Sequence, residues 1–131
     1  MNIQGEQLEC NKALIDKYRS EYLLLPEKER KQHTCISFLT FIFTGNAVPY
    51  LDPNLWQGEE CKIEDIKEGD AIVFSRCKES NINHCVICIA QGRFLSKEYG
   101  DPDLKESDFL DIIEKYENTR YIEKIKLFEY E

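Results

Sequence analysis

The sequence predicts an α+β fold in which a helix that begins with a cysteine packs on an antiparallel β-sheet. The first observation is the helical spacing of apolar residues before residue 45. The second is a pair of strand-like segments on either side of Gly92. The third is the length of 131 residues, which is enough for one domain with a real core. We therefore expect a single domain over residues 1–131.

The composition excludes several classes of protein. A formal charge of −8 argues against a nucleic-acid binder, since phosphate binding needs clustered Lys and Arg. The N-terminal segment has neither the basic head nor the apolar core of a secretory signal. The longest apolar stretch, "CISFLTFIF", is far short of the roughly 20 residues that span a bilayer. We expect a soluble protein without cofactor that stays in the cytoplasm or leaves it through a specialised export system.

Two helices are expected in the first third of the chain. Apolar residues recur at three- and four-residue spacing over residues 6–25, and Pro26 with the charged run "EKERKQ" ends this first helix. The next segment, "TCISFLTFIFTGN", fits a strand or a buried helix by composition alone. Its ends favour a helix, because Thr34 can act as the N-cap and Gly45 as a left-handed stop.

The later segments are expected to be mostly loops and strands. Residues 47–61 are interpreted as a long irregular connection that lines a groove with Tyr50 and Trp56. A strand follows from residue 70 to residue 75 after the turn "EGD", and residues 119–131 form a final strand. Between the last two strands the sequence suggests a helix capped near Ser107. Its buried residues would be Phe109, Leu110, Ile112, Ile113 and Tyr116.

The segments "HCVICIA" and "RFLSK" predict a hairpin whose turn decides what faces His84. With a three-residue loop, residue 89 lies opposite residue 93, so Ser96 lies opposite Val86 and Glu98 opposite His84. A two-residue turn at Gln91-Gly92 would bring Lys97 and Tyr99 to that face instead. We favour the first register because it gives the histidine a hydrogen-bond acceptor.

The chain has six cysteines and two histidines. Without a secretory signal the cysteines are expected to be mostly reduced. Cys85 and Cys88 have the spacing of half a zinc site, but no second close pair is present, so we expect no metal. Cys61, Cys77, Cys85 and Cys88 are interpreted as thiols that pack like small apolar residues.

Cys35 differs from the other cysteines because it falls in the first turn of the expected helix. The unpaired N–H groups and the positive end of the helix dipole stabilise a thiolate there and lower its pKa. His84 could accept the thiol proton and would give a nucleophile and base, while Ser96 or Glu98 could hold the imidazole. Taken alone, each residue also fits a structural role.

The order of "TCISFLTFIF", "IKEGDAIVF" and "HCVICIAQGRFLS" resembles the NlpC-type branch of the papain-like cysteine peptidases. The resemblance covers about half of the chain and implies a papain-like fold with Cys35 as nucleophile, His84 as base and Ser96 at the position of the polar third residue. Asp70 would be the structural aspartate of the turn. The family usually has Asp-Cys-Ser-Gly at the nucleophile, where this chain has Thr-Cys-Ile-Ser.

The resemblance implies a cysteine peptidase or amidase, or an acyltransferase, that acts on a peptide or another amide or ester bond through an acyl-enzyme. Tyr50 could join the backbone N–H of Cys35 as an oxyanion donor. The alternative is an inactive papain-like module whose groove serves for recognition. A third hypothesis is a structural or immunity-type protein whose acidic surface binds a basic partner protein.

Overall fold

The computed structural model describes residues 5–77 and 80–129, which form an α+β fold with a curled antiparallel sheet. Within these residues the sheet has seven strands: β1 (Gln7–Leu8), β2 (Trp56–Glu60), β3 (Ala71–Cys77), β4 (Ser80–Ala90), β5 (Arg93–Lys97), β6 (Leu104–Ser107) and β7 (Tyr121–Phe128). Their order is β1-β7-β3-β4-β5-β6, and β2 also pairs with β7. The helices are α1 (Lys12–Leu23), α2 (Glu27–Gln32), α3 (Cys35–Thr44) and α4 (Phe109–Lys115).

The predicted helix at Cys35 is confirmed, and its ends are set by the two predicted residues. The Thr34 hydroxyl accepts a hydrogen bond from the N–H of Ser37 at 3.2 Å, and the Ser37 hydroxyl accepts one from the N–H of Thr34 at 3.2 Å. This capping box satisfies orphan donors and fixes where the helix begins. At the other end Gly45 has φ +80°, a conformation that side chains disfavour, and it ends the helix.

Both faces of the sheet are covered. On one face α3 packs on β4 and β5 and α1 packs on α3, and Ile87 and Leu95 belong to this larger core. On the other face α4 packs on a smaller core that contains Val86 and Phe94. Because neighbouring residues of a strand point to opposite faces, β4 and β5 each contribute to both cores.

The predicted turn aspartate closes the turn before β3. The Asp70 carboxylate accepts a hydrogen bond from the N–H of Lys67 at 2.7 Å and lies 3.2 Å from the ammonium of Lys124. Next to it, Gly69 has φ +93°, and a Cβ there would lie 2.4 Å from the Cys10 carbonyl oxygen. The turn therefore needs glycine, as the "EGD" sequence suggested.

Several predicted boundaries were wrong. The first helix is shorter than residues 6–25, because β1 occupies its expected start. The "EKERKQ" run does not end a helix but forms α2, with Pro26 as its N-cap. The connection over residues 47–61 contains β2, which was not predicted, and β6 precedes the last helix. The predicted start of that helix near Ser107 is confirmed, with Asp108 as the N-cap. Leu110, expected in the core, is 67% exposed.

The predicted hairpin register is confirmed, although the predicted turn is wrong. Ala90 pairs with Arg93 across a two-residue turn, and a bulge between Cys88 and Ala90 then changes the register. Beyond the bulge Cys88 pairs with Phe94. An extra residue on one strand thus restores the register that a three-residue loop would give.

No helix within residues 5–77 and 80–129 is long and apolar enough to cross a membrane.

Candidate active site

Cys35 is the first residue of α3 and is partly buried against the larger core. The first N–H groups of a helix have no partner inside the helix. In the part of the chain that the structure describes, neither the N–H of Cys35 nor that of Ile36 is hydrogen-bonded. Two free backbone donors therefore lie at the sulfur-bearing end of the helix.

The surroundings of Cys35 favour its thiolate. A hydrogen bond from the Cys85 thiol lowers the pKa of Cys35 most, and burial opposes it. The imidazole of His84 lowers this pKa further through a hydrogen bond and its charge, and the Cys85 N–H adds to the effect. The net pKa of Cys35 is about 5, against an ordinary value of 9.0. The thiol is thus ionised at neutral pH.

The pKa of Cys85 changes in the opposite direction. The hydrogen bond to Cys35 raises it well above its ordinary value, and complete burial adds to the effect. One thiol of the pair therefore ionises and the other stays protonated as its donor. The sequence interpretation of Cys85 as a packing thiol missed this contact, because it depends on where α3 docks on β4.

His84 lies next to a break in the pairing of β3 and β4. Phe74 pairs with His84, but the next pair is Ser75 with Ile82, so one extra residue lies beside the histidine. Such irregularities re-aim side chains and are common near active sites. Only 3% of the His84 surface is exposed, because the ring of Tyr116 stacks on it with centroids 4.6 Å apart. Tyr116 was expected only as a core residue.

The two predicted partners of His84 have other neighbours. Ser96 is buried, and the carboxylate of Glu98 is bound by Lys115 and lies 3.9 Å from Lys105. Within the described residues, neither Ser96 nor Glu98 is hydrogen-bonded to the imidazole. Their role in orienting His84 stays a prediction.

The predicted groove residues lie away from the start of α3. Tyr50 is 66% exposed and lines a cleft of about 640 Å³ beside Phe43 and Thr44, at the far end of the helix from Cys35. Trp56 lines a separate cleft of about 580 Å³ on β2 with Lys124. The structure thus does not bring Tyr50 to Cys35 as the expected oxyanion donor.

Cys85 and Cys88, which have the spacing of half a zinc site, lie on opposite faces of β4. Cys85 belongs to the larger core and Cys88 to the smaller one. Two side chains on opposite faces cannot bind one ion. Across residues 5–77 and 80–129 there is no group of three or more His, Cys, Asp or Glu side chains that could hold a metal.

Comparisons of the chain with protein-family models, with curated proteins and with solved structures found no match. Function must therefore be inferred from the geometry and chemistry of the site itself.

Proposed function

We propose that the protein is a papain-like cysteine hydrolase or acyltransferase that acts on an amide or ester bond. The observation that carries this proposal is the position of Cys35, at a helix N-terminus where the side chains of His84 and Cys85 both lower its pKa. A thiolate that is stable at neutral pH beside an imidazole is the usual form of an activated cysteine nucleophile.

In the proposed reaction the Cys35 thiolate attacks the carbonyl carbon of the substrate. His84 carries the proton that Cys35 has lost and gives it to the leaving amine or alcohol as the bond to the carbonyl carbon breaks. The product left on the enzyme is a thioester. Water or another acceptor then loses a proton to His84, attacks the thioester and releases Cys35.

The start of α3 supplies the groups that would stabilise the oxyanion. The free N–H groups of Cys35 and Ile36 lie where negative charge develops on the carbonyl oxygen. Both belong to a helix end that the capping box of Thr34 and Ser37 holds in place. These donors do not need to reorganise during the reaction, so the missing contact with Tyr50 does not weaken the proposal.

The pH dependence of iodoacetamide labelling, resolved for each cysteine by peptide mass spectrometry, tests the proposal without a known substrate. We expect fast labelling of Cys35 down to about pH 6, because the thiolate persists there. Exposed Cys77 serves as the reference thiol in the same sample. In His84→Ala the labelling of Cys35 at this pH should fall. Cys35 reactivity equal to that of Cys77, or unchanged by His84→Ala, would contradict the thiolate–imidazole pair.

A second candidate function is an inactive papain-like binding module. The low exposure of His84 under Tyr116 favours it, because a substrate and water must reach the base during turnover. The same labelling experiment separates the two functions. A Cys35 that is inert or behaves as an ordinary thiol would support the binding module and direct the search toward a partner.

A further inference from the structure

Lys97, at the end of β5, is a buried cation that the proposed reaction does not use. None of its surface is exposed, although lysine is almost never fully buried unless it is paired. Its ammonium donates to the carbonyl oxygens of His33 and Glu98, both at 2.8 Å. Within residues 5–77 and 80–129 it forms no salt bridge. A buried charge held only by carbonyl groups is costly, so its position needs a reason.

The carbonyl group that Lys97 binds lies at the junction of α2 and α3. His33 is the C-cap of α2 and directly precedes Thr34, the N-cap of α3. Its ring is held from another side, because the Tyr22 hydroxyl lies 3.0 Å from Nδ1 of His33. Lys97 therefore ties the backbone two residues before Cys35 to the sheet.

Other contacts attach the same junction to the segment after β5. The N–H of Gly100 donates to the carbonyl oxygen of Lys31 at 3.0 Å, and the Arg30 guanidinium donates to that of Pro102 at 2.9 Å. The contact of Lys97 with His33 differs from these two contacts in two ways. Lys97 is buried, and His33 is closer in sequence to the start of α3 than Arg30 or Lys31 is. Its bond to His33 is thus the interior part of a wider attachment.

Lys97 also lies on the face of the sheet that carries Cys85. Leu95 and Cys85 belong to the same core, and Lys97 is two residues after Leu95 on β5. Burial is the main cause that lowers the pKa of Lys97, while the carboxylate of Asp101 and, to a smaller extent, the Cys35 thiolate raise it.

We infer that Lys97 is a positioning residue that holds the start of α3 against β4, so that Cys35 meets both Cys85 and His84. This role rests on the proposed function. Lys97 contacts neither the reacting atoms nor solvent, and it acts through the His33 carbonyl group. Because the anchor is a strand residue on the sheet that also carries Cys85 and His84, one rigid element positions Cys35 relative to both residues.

The test compares three variants by the pH profile of Cys35 labelling with iodoacetamide. Lys97→Met keeps the length and apolar stem but removes the donor, and we expect labelling about tenfold slower at about pH 6, equivalent to a rise of about two units from the Cys35 pKa of about 5. Lys97→Gln keeps an N–H donor and should lose less. Lys105→Met is the control, because it removes a half-exposed lysine from the neighbouring strand without touching His33. It should behave as the wild type.

Hydrogen exchange of the backbone N–H groups of residues 33–38 gives a second readout. We expect faster exchange there in Lys97→Met, with no change in β2. Fast wild-type labelling that is unchanged in both Lys97 variants would overturn the positioning role and leave the proposed function intact. An ordinary rate at Cys35 in the wild type would overturn both. If Lys97→Met does not fold, Lys97→Leu, which also lacks the donor, takes its place, and wild-type labelling and exchange in that variant decide against the role.

Discussion

The phenol ring of Tyr116 lies nearly parallel to the imidazole of His84, with centroids 4.6 Å apart and an interplanar angle of 14°. Tyr116 follows α4 as its C-cap residue, so the end of a helix on one face of the sheet covers the proposed base. Stacking limits the orientation of the imidazole plane. Tyr116 thus contacts His84 directly, although it was not among the residues predicted to do so.

For Tyr116→Leu we expect slower labelling of Cys35 at about pH 6, because His84 loses its stacking partner and rotates more freely. Tyr116→Phe keeps the ring and should stay close to the wild type. Tyr99→Leu, at an exposed tyrosine, is the control. Equal rates in Tyr116→Leu and the wild type would show that stacking does not orient His84.

Replacement of the proposed reacting residues should separate chemistry from folding. Cys35→Ala should abolish turnover of any substrate that is found, while thermal unfolding stays cooperative, since Cys35 is only partly buried. Cys35→Ser should leave little activity, because an alkoxide is much harder to form than a thiolate.

His84→Ala should lower kcat by at least about a hundredfold, the usual size of a general-base effect. A loss below about threefold would remove His84 from the mechanism.

Cys85→Ala should raise the pKa of Cys35, because the largest cause that lowers this pKa is the hydrogen bond from the Cys85 thiol. The thiolate absorbance near 240 nm, followed from acid to alkaline pH, measures the change. Cys88→Ala is a matched control, since Cys88 is buried on the same strand but belongs to the other core. A titration midpoint that moves equally in both variants would point to a general loss of packing.

The low pKa of Cys35 also makes stability depend on pH. The folded-state pKa of about 5 lies below the ordinary value of 9.0, so the folded chain binds fewer protons between these two values. The stabilisation is complete above the ordinary value and is lost as pH falls through the folded one. The raised pKa of Cys85 costs stability only once unfolded thiols ionise, at still higher pH.

Urea unfolding of the wild type and Cys35→Ala, in reductant, measures this dependence. The difference in the free energy of unfolding should grow in favour of the wild type as pH rises from about 5 to about 9. Cys10→Ala should show the opposite sign, but only from about pH 9 to about 11, because burial raises the pKa of Cys10 from 9.0 to about 11. A difference between wild type and Cys35→Ala that is independent of pH would contradict a thiolate in the folded protein.

Thr34→Ala should cost about 1 kcal/mol, because it removes the side-chain acceptor of the capping box at the start of α3. Thr34→Ser keeps the hydroxyl and should recover most of that loss. Thr44→Ala, at the other end of the same helix, is the control for Cys35 labelling. We expect only Thr34→Ala to slow labelling, since only that variant loosens the helix turn that carries the sulfur.

Local signals were enough to predict α3 and most of β3, β4, β5 and β7. A cap, a left-handed glycine and an apolar run all lie within a few residues of one another, so they can be recognised without knowing the tertiary structure. The elements that were not predicted lack such local signals. The strand β6 carries exposed Lys105 and Glu106, and α2 is a short, charged helix after Pro26. Their position depends on the elements against which they dock.

The same distinction applies to the site. Cys35 and His84 could be proposed from residue type and order, while Cys85, Lys97 and Tyr116 could not. The role of Cys85 could not be predicted, because Cys85 and His84 point to opposite faces of β4 and the sequence does not show which face α3 covers. Tyr116 comes from α4, and no pattern within that helix shows that it ends over a histidine.

The strand β7 connects distant parts of the chain, because it pairs with β1, β2 and β3 and contains the last residues of the sheet. During synthesis the edge of β3 and the polar strand β2 stay unpaired until residues 121–128 of β7 have been made. An incomplete chain thus exposes the apolar strand β3 as an unpaired edge, which favours aggregation. The order of synthesis therefore leaves the supporting sheet unfinished, and Cys35 without its final surroundings, until β7 has been made.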